Sequence, residues 1–341
     1  MIASATLDLS RGPLVTAVSA HTARVSFTTT ASVTAELQIT GTSVPAGSGT
    51  RHIAALTSLA AGKRYHYRVV AKGATLARGS FKTAPVGQSS FTFAVVGDFG
   101  SGDENQRAVA RLIRSWKPDF LLSTGDQSYL LGLDQLLERN IFNPYRQLFR
   151  ESVFFPTLGN HDVFLNGGAD ELSALDFPQG KRYYRFAWGL ASYTVIDSDS
   201  PVGGATEQGQ FVARSFSRGS CFRFAAWHHP PWSEYSGGIA GALRRNVVPL
   251  VEQAKLDVVF LGHVHDYERT KPRHGVTYLT VGTGGAAIGR YPNSSIPLEH
   301  KVLNTFGALR VDVNGRGARF RFMDTHGRVL DAFRRTCRTR V

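Results

Sequence analysis

Residues 256–270 read LDVVFLGHVHDYERT, an apolar run that ends at Gly262 and then sets His263 and His265 one residue apart. In an extended segment, side chains two apart share a face, so both imidazoles meet one spot at the end of a buried strand. A histidine beside an apolar strand is more often hydrogen-bonded packing than a ligand, so this pair alone does not decide between the two. Four other apolar strands end in the same way. Asp98 closes VVGDFG, Asp126 closes LLSTGDQSY, Asn160 with His161 and Asp162 closes LGNHD, and His228 with His229 closes FAAWHH. Ligands of open α/β sheets gather at the carboxyl ends of strands, and glycine there permits the sharp turn that aims the next side chain inward.

From Phe91 onward strands alternate with helices: FTFAVVGD (91–98), ENQRAVARLIRSW (104–116), DFLLSTGD (119–126), LLERNIFNPYRQLFRE (136–151) and VFFPTLGNHD (153–162). Later strands, among them SYTVIDSD, CFRFAAWHH, GVTYLTVG, GALRVDV and ARFRFMD, follow one another with few helices between. This order predicts an α/β fold, a sandwich of two sheets flanked by helices, over residues 91–341. Residues 1–84 differ. They are rich in Thr, Ser, Ala and Val, and alternating runs such as TARVSFTT and RYHYRVVA are divided by Gly-containing turns, which predicts a small all-β sandwich. PVGQSS (85–90) reads as the linker between them.

The length of 341 residues suits two domains. Hydrophobic content of 42% and charged content of 19% describe a folded chain, and no apolar run reaches the ~18 residues of a membrane-spanning helix. The opening MIASATLDLS lacks the pattern of a signal peptide. Cys221 and Cys337 are too few for a disulfide scaffold and lack zinc-site spacing, but allow one bridge in an oxidising compartment. A formal charge of +13 favours anionic ligands, yet the basic residues are scattered apart from RRTCRTR near the end, which does not favour nucleic acid as the partner.

Two aspartates, an amide oxygen and three imidazoles form a mixed oxygen and nitrogen set without thiolate, suited to Fe, Zn or Mn. Six or seven donors exceed the four of one zinc site and suffice for two metals that share a carboxylate, typically ~3.5–4 Å apart.

The ordered series GDFG, GDQSY, GNHD, WHHPPW and GHVH resembles the five-motif signature of the calcineurin-like metallophosphoesterases. Tyr129, three residues after Asp126, resembles the mark of the purple acid phosphatases within that superfamily. GHVHDYERTKP, GVTYLTVGTGGA and GALRVDVNG are similar to the same family, and TSLAAGKRYHYRVVAKG with GSFKTAP resembles the closing strands of fibronectin type III-like domains. The resemblance implies a fibronectin type III-like β-sandwich over 1–84 and a binuclear metallophosphoesterase domain over 91–341. It implies Fe(III) on Asp98, Asp126, Tyr129 and His265, and a divalent Fe, Zn or Mn on the bridging Asp126 with Asn160, His228 and His263. His228 is favoured over His229 because the family places its ligand in a His-x-Pro pattern, which leaves His229 a supporting or surface role.

By the same resemblance, His161 contacts the substrate phosphate and stabilises the leaving group, with Asp162 to orient it. The family carries further histidines shortly after His-x-Pro. This chain instead reads PPWSEYSGG, so Glu234 and Tyr235 join Asn160 and His161 as the substrate-facing candidates. The implied activity is acid hydrolysis of phosphate monoesters by a metal-bound hydroxide in a secreted or periplasmic enzyme. Phosphodiesters, phosphotriesters and nucleotide pyrophosphates are the alternative substrates. Neither the oligomeric state nor the natural substrate follows from these residues.

Overall fold

A computed structural model describes residues 7–129, 131–216, 220–289 and 295–337. The chain opens with five strands: β1 (Leu9–Thr16), β2 (Ala23–Ile39), β3 (Thr42–Leu56), β4 (Arg64–Ala71) and β5 (Ala74–Lys82). The alternation in RYHYRVVA is realised in β4, where Tyr65, Tyr67 and Val69 are buried and the intervening residues are exposed. β2 is long because it serves two neighbours. Residues 24–29 pair with β1 and residues 35–39 pair with β4, while β3 follows both halves across a register shift between Thr28 and Val33.

The remaining strands are β6 (Ser90–Val96), β7 (Phe120–Ser123), β8 (Val153–Phe155), β9 (Tyr184–Trp188), β10 (Ala191–Val195), β11 (Phe222–Ala226), β12 (Val258–Leu261), β13 (Tyr267–Thr270), β14 (Thr277–Val281), β15 (Leu298–Val302), β16 (Gly307–Asn314), β17 (Gly317–Asp324) and β18 (Val329–Thr336). They lie in two sheets. One runs β18-β17-β16-β6-β7-β8 and continues through β1 into the N-terminal strands; the other runs β15-β13-β14-β12-β11-β10-β9. At the middle of each sheet the strands are parallel, β6 with β7 and β8 in the first, and β10 with β11, β12 and β14 in the second. β7, β11 and β12 in these parallel cores are wholly buried, which explains why the sequence shows largely apolar runs there instead of alternation. The expected α/β sandwich is the observed architecture.

Aromatic side chains fill the space between the sheets. Phe93 of β6 stacks on Phe120 of β7 with ring centres 4.8 Å apart, and meets Tyr193 and Phe260 of the opposite sheet edge-on at 5.5 and 6.1 Å. The helix Glu104–Ser115 covers the first sheet with Val109, Leu112 and Ile113, buried at helical spacing, and is capped by Asp103, whose side chain accepts the Gln106 N–H.

The N-terminal strands do not hang from a free tether. Val15 pairs in parallel with Val153 of β8, and the apolar residues of β1 to β5 belong to one cluster with those of β6 to β8. The segment expected as a linker, 85–90, is pinned: the Pro85 carbonyl accepts the Gly189 N–H at 3.0 Å, Val86 bridges to Gly189, and Ser90 already lies in β6. Cys221 and Cys337 form a disulfide that ties the entry of β11 to the exit of β18. Among the described residues no helix is long and apolar enough to cross a membrane.

Because Phe93 is wholly buried and touches both sheets, Phe93→Ala should lower the free energy of unfolding by about 3–5 kcal/mol. Denaturant titration checks this, and a loss below about 1 kcal/mol would mean that the interface closes around the gap.

Candidate metal centre

The carboxyl ends of β6, β7 and β8 in one sheet, and of β11 and β12 in the other, converge on one spot at the edge of the sandwich. Their loops are knitted to one another by backbone hydrogen bonds. Asp98 N–H donates to the Gly125 carbonyl at 2.9 Å, Phe99 N–H to the Asp126 carbonyl at 3.1 Å, and Gly262 N–H to the His228 carbonyl at 2.9 Å. The close approach needs glycine. A Cβ on Gly262 would stand 2.7 Å from both Asp98 Oδ2 and the Thr124 carbonyl, and one on Gly125 would stand 2.6 Å from His228 Nδ1. Immediately after Gly97, Gly125 and Gly262, the residues Asp98, Asp126 and His263 adopt φ of 56°, 51° and 70°, in the left-handed region that non-glycine residues avoid. Such strain costs of order 1–3 kcal/mol per residue and persists where the surroundings dictate it.

The side chains delivered in this way form two groups. In the first, Tyr129 Oη lies 3.2 Å from Asp98 Oδ1 and 3.0 Å from both Asp126 Oδ2 and His265 Nε2, with His265 Nε2 at 3.4 Å from Asp98 Oδ1. In the second, Asn160 Oδ1 lies 3.0 Å from His228 Nε2 and 2.9 Å from His263 Nδ1, and the two nitrogens are 3.3 Å apart. Asp126 joins the groups, because its Oδ2 is also 3.3 Å from His228 Nε2, while its Oδ1 accepts the His161 N–H at 2.9 Å.

Backbone carbonyls set the outward nitrogens. His228 Nδ1 meets the Thr124 carbonyl at 2.8 Å and His265 Nδ1 meets the Ala287 carbonyl at 2.7 Å. A carbonyl only accepts, so each Nδ1 carries a proton and each Nε2 is the atom turned to the cluster. Without protons on Tyr129 Oη and His228 Nε2, lone pairs would face lone pairs at hydrogen-bond distance, a repulsive arrangement in a buried place unless positive charge lies between them.

The titration of the groups expresses the same need. Burial alone would raise Asp126, but the adjacent His228 charge reverses this and holds the carboxylate below its ordinary range. Burial alone would lower His228, and Asp126 instead lifts it to about 10. Burial, followed by the charges of Asp126 and Asp98, pushes the Tyr129 phenol well above its usual value. Burial and the His228 charge push His263 down to about 4. Protons on His228 and Tyr129 thus stand in for cations. The donor chemistry, hard oxygens with imidazole nitrogens and no sulfur, fits Fe, Zn or Mn.

The structure places two further residues, Asp162 and His229, beside the donors. Asp162, expected to orient His161, is fully buried, and its carboxylate accepts the N–H groups of Gln127 at 2.8 Å, Ser128 at 3.1 Å and Gly159 at 2.9 Å. It braces the Asp126 loop against the Asn160 loop. His229 is not at the surface: it is buried, its Nδ1 lies 2.9 Å from Ser198 Oγ, and its ring stands 4.3 Å from that of His263. One ring nitrogen each of His228, His229 and His263 lie within 4.8 Å of one another, a second grouping able to hold an ion beside that of Asp98, Asp126 and His228. Nothing in the sequence marks Ser198, or the carbonyls of Thr124 and Ala287, because a carbonyl partner can belong to any residue. The Glu234 side chain lies outside the described residues. His161 is half-buried with its ring 4.5 Å from that of Tyr129, and Tyr235 is exposed with its ring 4.9 Å from that of His263.

Residues 91–267, just over half of the chain and all five strand ends, match the calcineurin-like phosphoesterase family. The chain belongs to that family. It is 27% identical over 294 residues to purple acid phosphatase 21 of Arabidopsis thaliana, a match that covers 78% of this chain and 66% of that protein. It therefore spans slightly less than two thirds of that relative. It is 22% identical over 316 residues to tartrate-resistant acid phosphatase type 5 of Sus scrofa, covering 77% of this chain and 91% of that one. The structure of purple acid phosphatase PPD1 from yellow lupin (Lupinus luteus) seeds superposes with a TM-score of 0.76 at 17% identity, over 97% of this chain and 74% of that chain, so the N-terminal strands share its fold as well.

Asp162→Ala leaves three buried N–H groups without an acceptor, at roughly 1–3 kcal/mol each, partly offset by removal of a buried carboxylate. A net loss of at least about 2 kcal/mol should appear in denaturant titration, together with weaker metal retention in equilibrium dialysis. An unchanged unfolding midpoint would show that the loops are held by other contacts.

Proposed function

We propose that this calcineurin-like phosphoesterase hydrolyses phosphate monoesters at a centre of two cations, in the manner of an acid phosphatase. The observation that carries the reading is the pair of donor groups sharing Asp126, each with its oxygen and nitrogen atoms turned inward. Asp98, Asp126, Tyr129 and His265 hold the first cation, assigned as Fe(III) because a phenolate is a hard anionic donor; Asp126, Asn160, His228 and His263 hold the second, a divalent Fe, Zn or Mn. Bound there, the cations supply Lewis-acid neutralisation of the phosphate oxygens and acidify water toward neutrality.

The chain's own residues supply orientation. Asp126 is fixed at Oδ1 by the His161 N–H, which leaves Oδ2 for the shared position. His161 lies half-buried beside Tyr129, at the open side of the centre, where its ring donates a hydrogen bond to a phosphate or leaving-group oxygen. His229 offers a second such donor in a region where the sequence lacks the family's usual histidines. Ser198 Oγ accepts the backbone N–H of His229 at 3.2 Å and lies 2.9 Å from its Nδ1, which leaves Nε2 for a ligand. Asp162 acts by holding the two loops in register rather than by touching substrate.

The disulfide favours an oxidising compartment, and we assign the protein to secretion or the periplasm. Surface arginines are widely paired with carboxylates, as in Arg24 with Asp176, Arg269 with Asp331 and Arg114 with Glu151, which leaves no basic track suited to nucleic acid among these pairs.

Protein reconstituted with iron and zinc should hydrolyse a chromogenic monoester faster than its matched diester, with an optimum on the acid side of neutrality. Preference for the diester, or an optimum above pH 8, overturns the monoester reading and moves the substrate class to diesters. Asp126→Asn should cut turnover by roughly 10²–10³-fold, as for loss of a preorganised electrostatic contact. Tyr129→Phe should abolish the visible phenolate-to-iron absorption band; a band that survives would remove Fe(III) from the tyrosine side.

A further inference from the structure

We infer that the centre acts on phosphoesters whose leaving group is apolar, an alkyl or aryl alcohol, and that Phe164 and Tyr235 supply the exposed aromatic surface that this group covers. This inference rests on the phosphoesterase reading above and names its substrate class.

Among the described residues the large apolar side chains left exposed are Val86, Phe164, Leu165, Tyr235, Leu303 and Val329. Single exposed apolar residues need no explanation. Here, however, Phe164, Leu165 and Tyr235, three of these six, sit in the two loops that carry the half-open side of the centre.

Helical geometry fixes where Phe164 stands. Asn160–Val163 form one turn of helix, and Phe164 continues it with φ −58° and ψ −44°. At about 100° per residue, Phe164 falls between Asn160 and His161 around the axis, and Asp162, which is fully buried, falls opposite. The turn therefore shows outward a single face made of an amide, an imidazole and a phenyl ring that is 69% exposed. Tyr235 marks the other flank. Its ring lies 4.9 Å from that of His263, its carbonyl lies 3.5 Å from His263 Nε2, and the residue is 52% exposed. His161, on the same turn as Phe164, packs against Tyr129 in the first donor group, and His263, in ring contact with Tyr235, belongs to the second, so each exposed aromatic residue neighbours a residue of the centre in sequence or in space.

A polar, hydroxyl-rich leaving group finds no hydrogen-bond partner in a phenyl ring and loses water on contact with it. An apolar leaving group gains from covering the rings. Aromatic side chains are suited to this because they offer large rigid contact area at small conformational cost.

The test uses straight-chain alkyl phosphates from ethyl to hexyl, whose leaving alcohols differ little in acidity while their apolar area grows. On the metal-loaded enzyme, kcat/KM should rise about twofold per methylene, the share expected when roughly half of each methylene is covered, and so by about tenfold or more across the series. The Phe164→Ser, Tyr235→Ser double variant should flatten that slope. Both positions are exposed, and the wild-type slope decides the question even where the variant folds poorly. The matching alkylphosphonates, which are not hydrolysed, give a second readout: their affinity by calorimetry should rise with the same slope. Hydrolysis of all the phosphates with flat slopes in both series overturns the inference while sustaining the phosphatase reading. No hydrolysis, with phosphonate affinity still rising with chain length, overturns the phosphatase reading while sustaining the apolar site. A slope unchanged in the double variant removes Phe164 and Tyr235 from the assignment.

Discussion

The crowding of oxygen and nitrogen donor atoms around Asp126, relieved only by protons or other positive charge between them, is the constraint on which the rest of the centre depends. Asp126 Oδ2 stands between Tyr129 Oη and His228 Nε2, and each of those atoms already faces another donor of its own group. Such an arrangement is unfavourable in a buried site without positive charge, and the fold tolerates it only by over-determining the backbone beneath it. Three of the donor residues sit in the left-handed region, and the loops that bear them exchange N–H···O=C bonds across strand ends of both sheets. Rigidity of this kind is what a pair of small, highly charged ions requires, since selectivity among such metals is set by donor type and geometry more than by raw affinity.

Outside the donors lies a layer that fixes direction. Carbonyls of Thr124 and Ala287 choose the nitrogen that His228 and His265 turn inward, and Ser198 holds the ring of His229 through Nδ1. Asp162 performs a related task on the backbone, gathering N–H groups from the Gln127 and Gly159 loops so that Asp126 and Asn160 keep their spacing. Partners of this kind orient ligands and tune their basicity, and their loss is felt at the centre even though they do not touch it.

These two layers were not equally legible in the sequence. A donor must be one of a few residue types, and it must follow a buried strand. Gly-Asp, Gly-Asn-His and Gly-His after unbroken apolar runs therefore exposed the inner layer, and the run of strands and helices exposed the α/β sandwich. The outer layer used backbone atoms, which carry no residue signature, or polar residues whose burial depends on how two distant loops meet. For that reason His229 was compatible with a surface place, and Asp162 with a partnership to His161, until the tertiary contacts of both were known. The N-terminal strands show the same limit. Alternation in RYHYRVVA marked β4, but the change of partner within β2 and the anchoring of residues 85–90 on Gly189 arise from contacts remote in the chain.

The gradient of exposure across the centre then assigns different tasks to different depths. Asp98, Asp126 and His228 are buried just beyond the ends of their strands, so a change there should cost stability and, in the proposed function, metal binding. Asn160, His161 and His263 are half-buried and form the more exposed side of the centre, where the proposed function places the phosphoryl group. Phe164 and Tyr235 are the most exposed of these residues, Tyr235 resting on the ring of His263. In the inferred reading, substitutions at that outer level redirect the choice of leaving group while the donors stay in place, as loops on a rigid scaffold vary function without changing the fold.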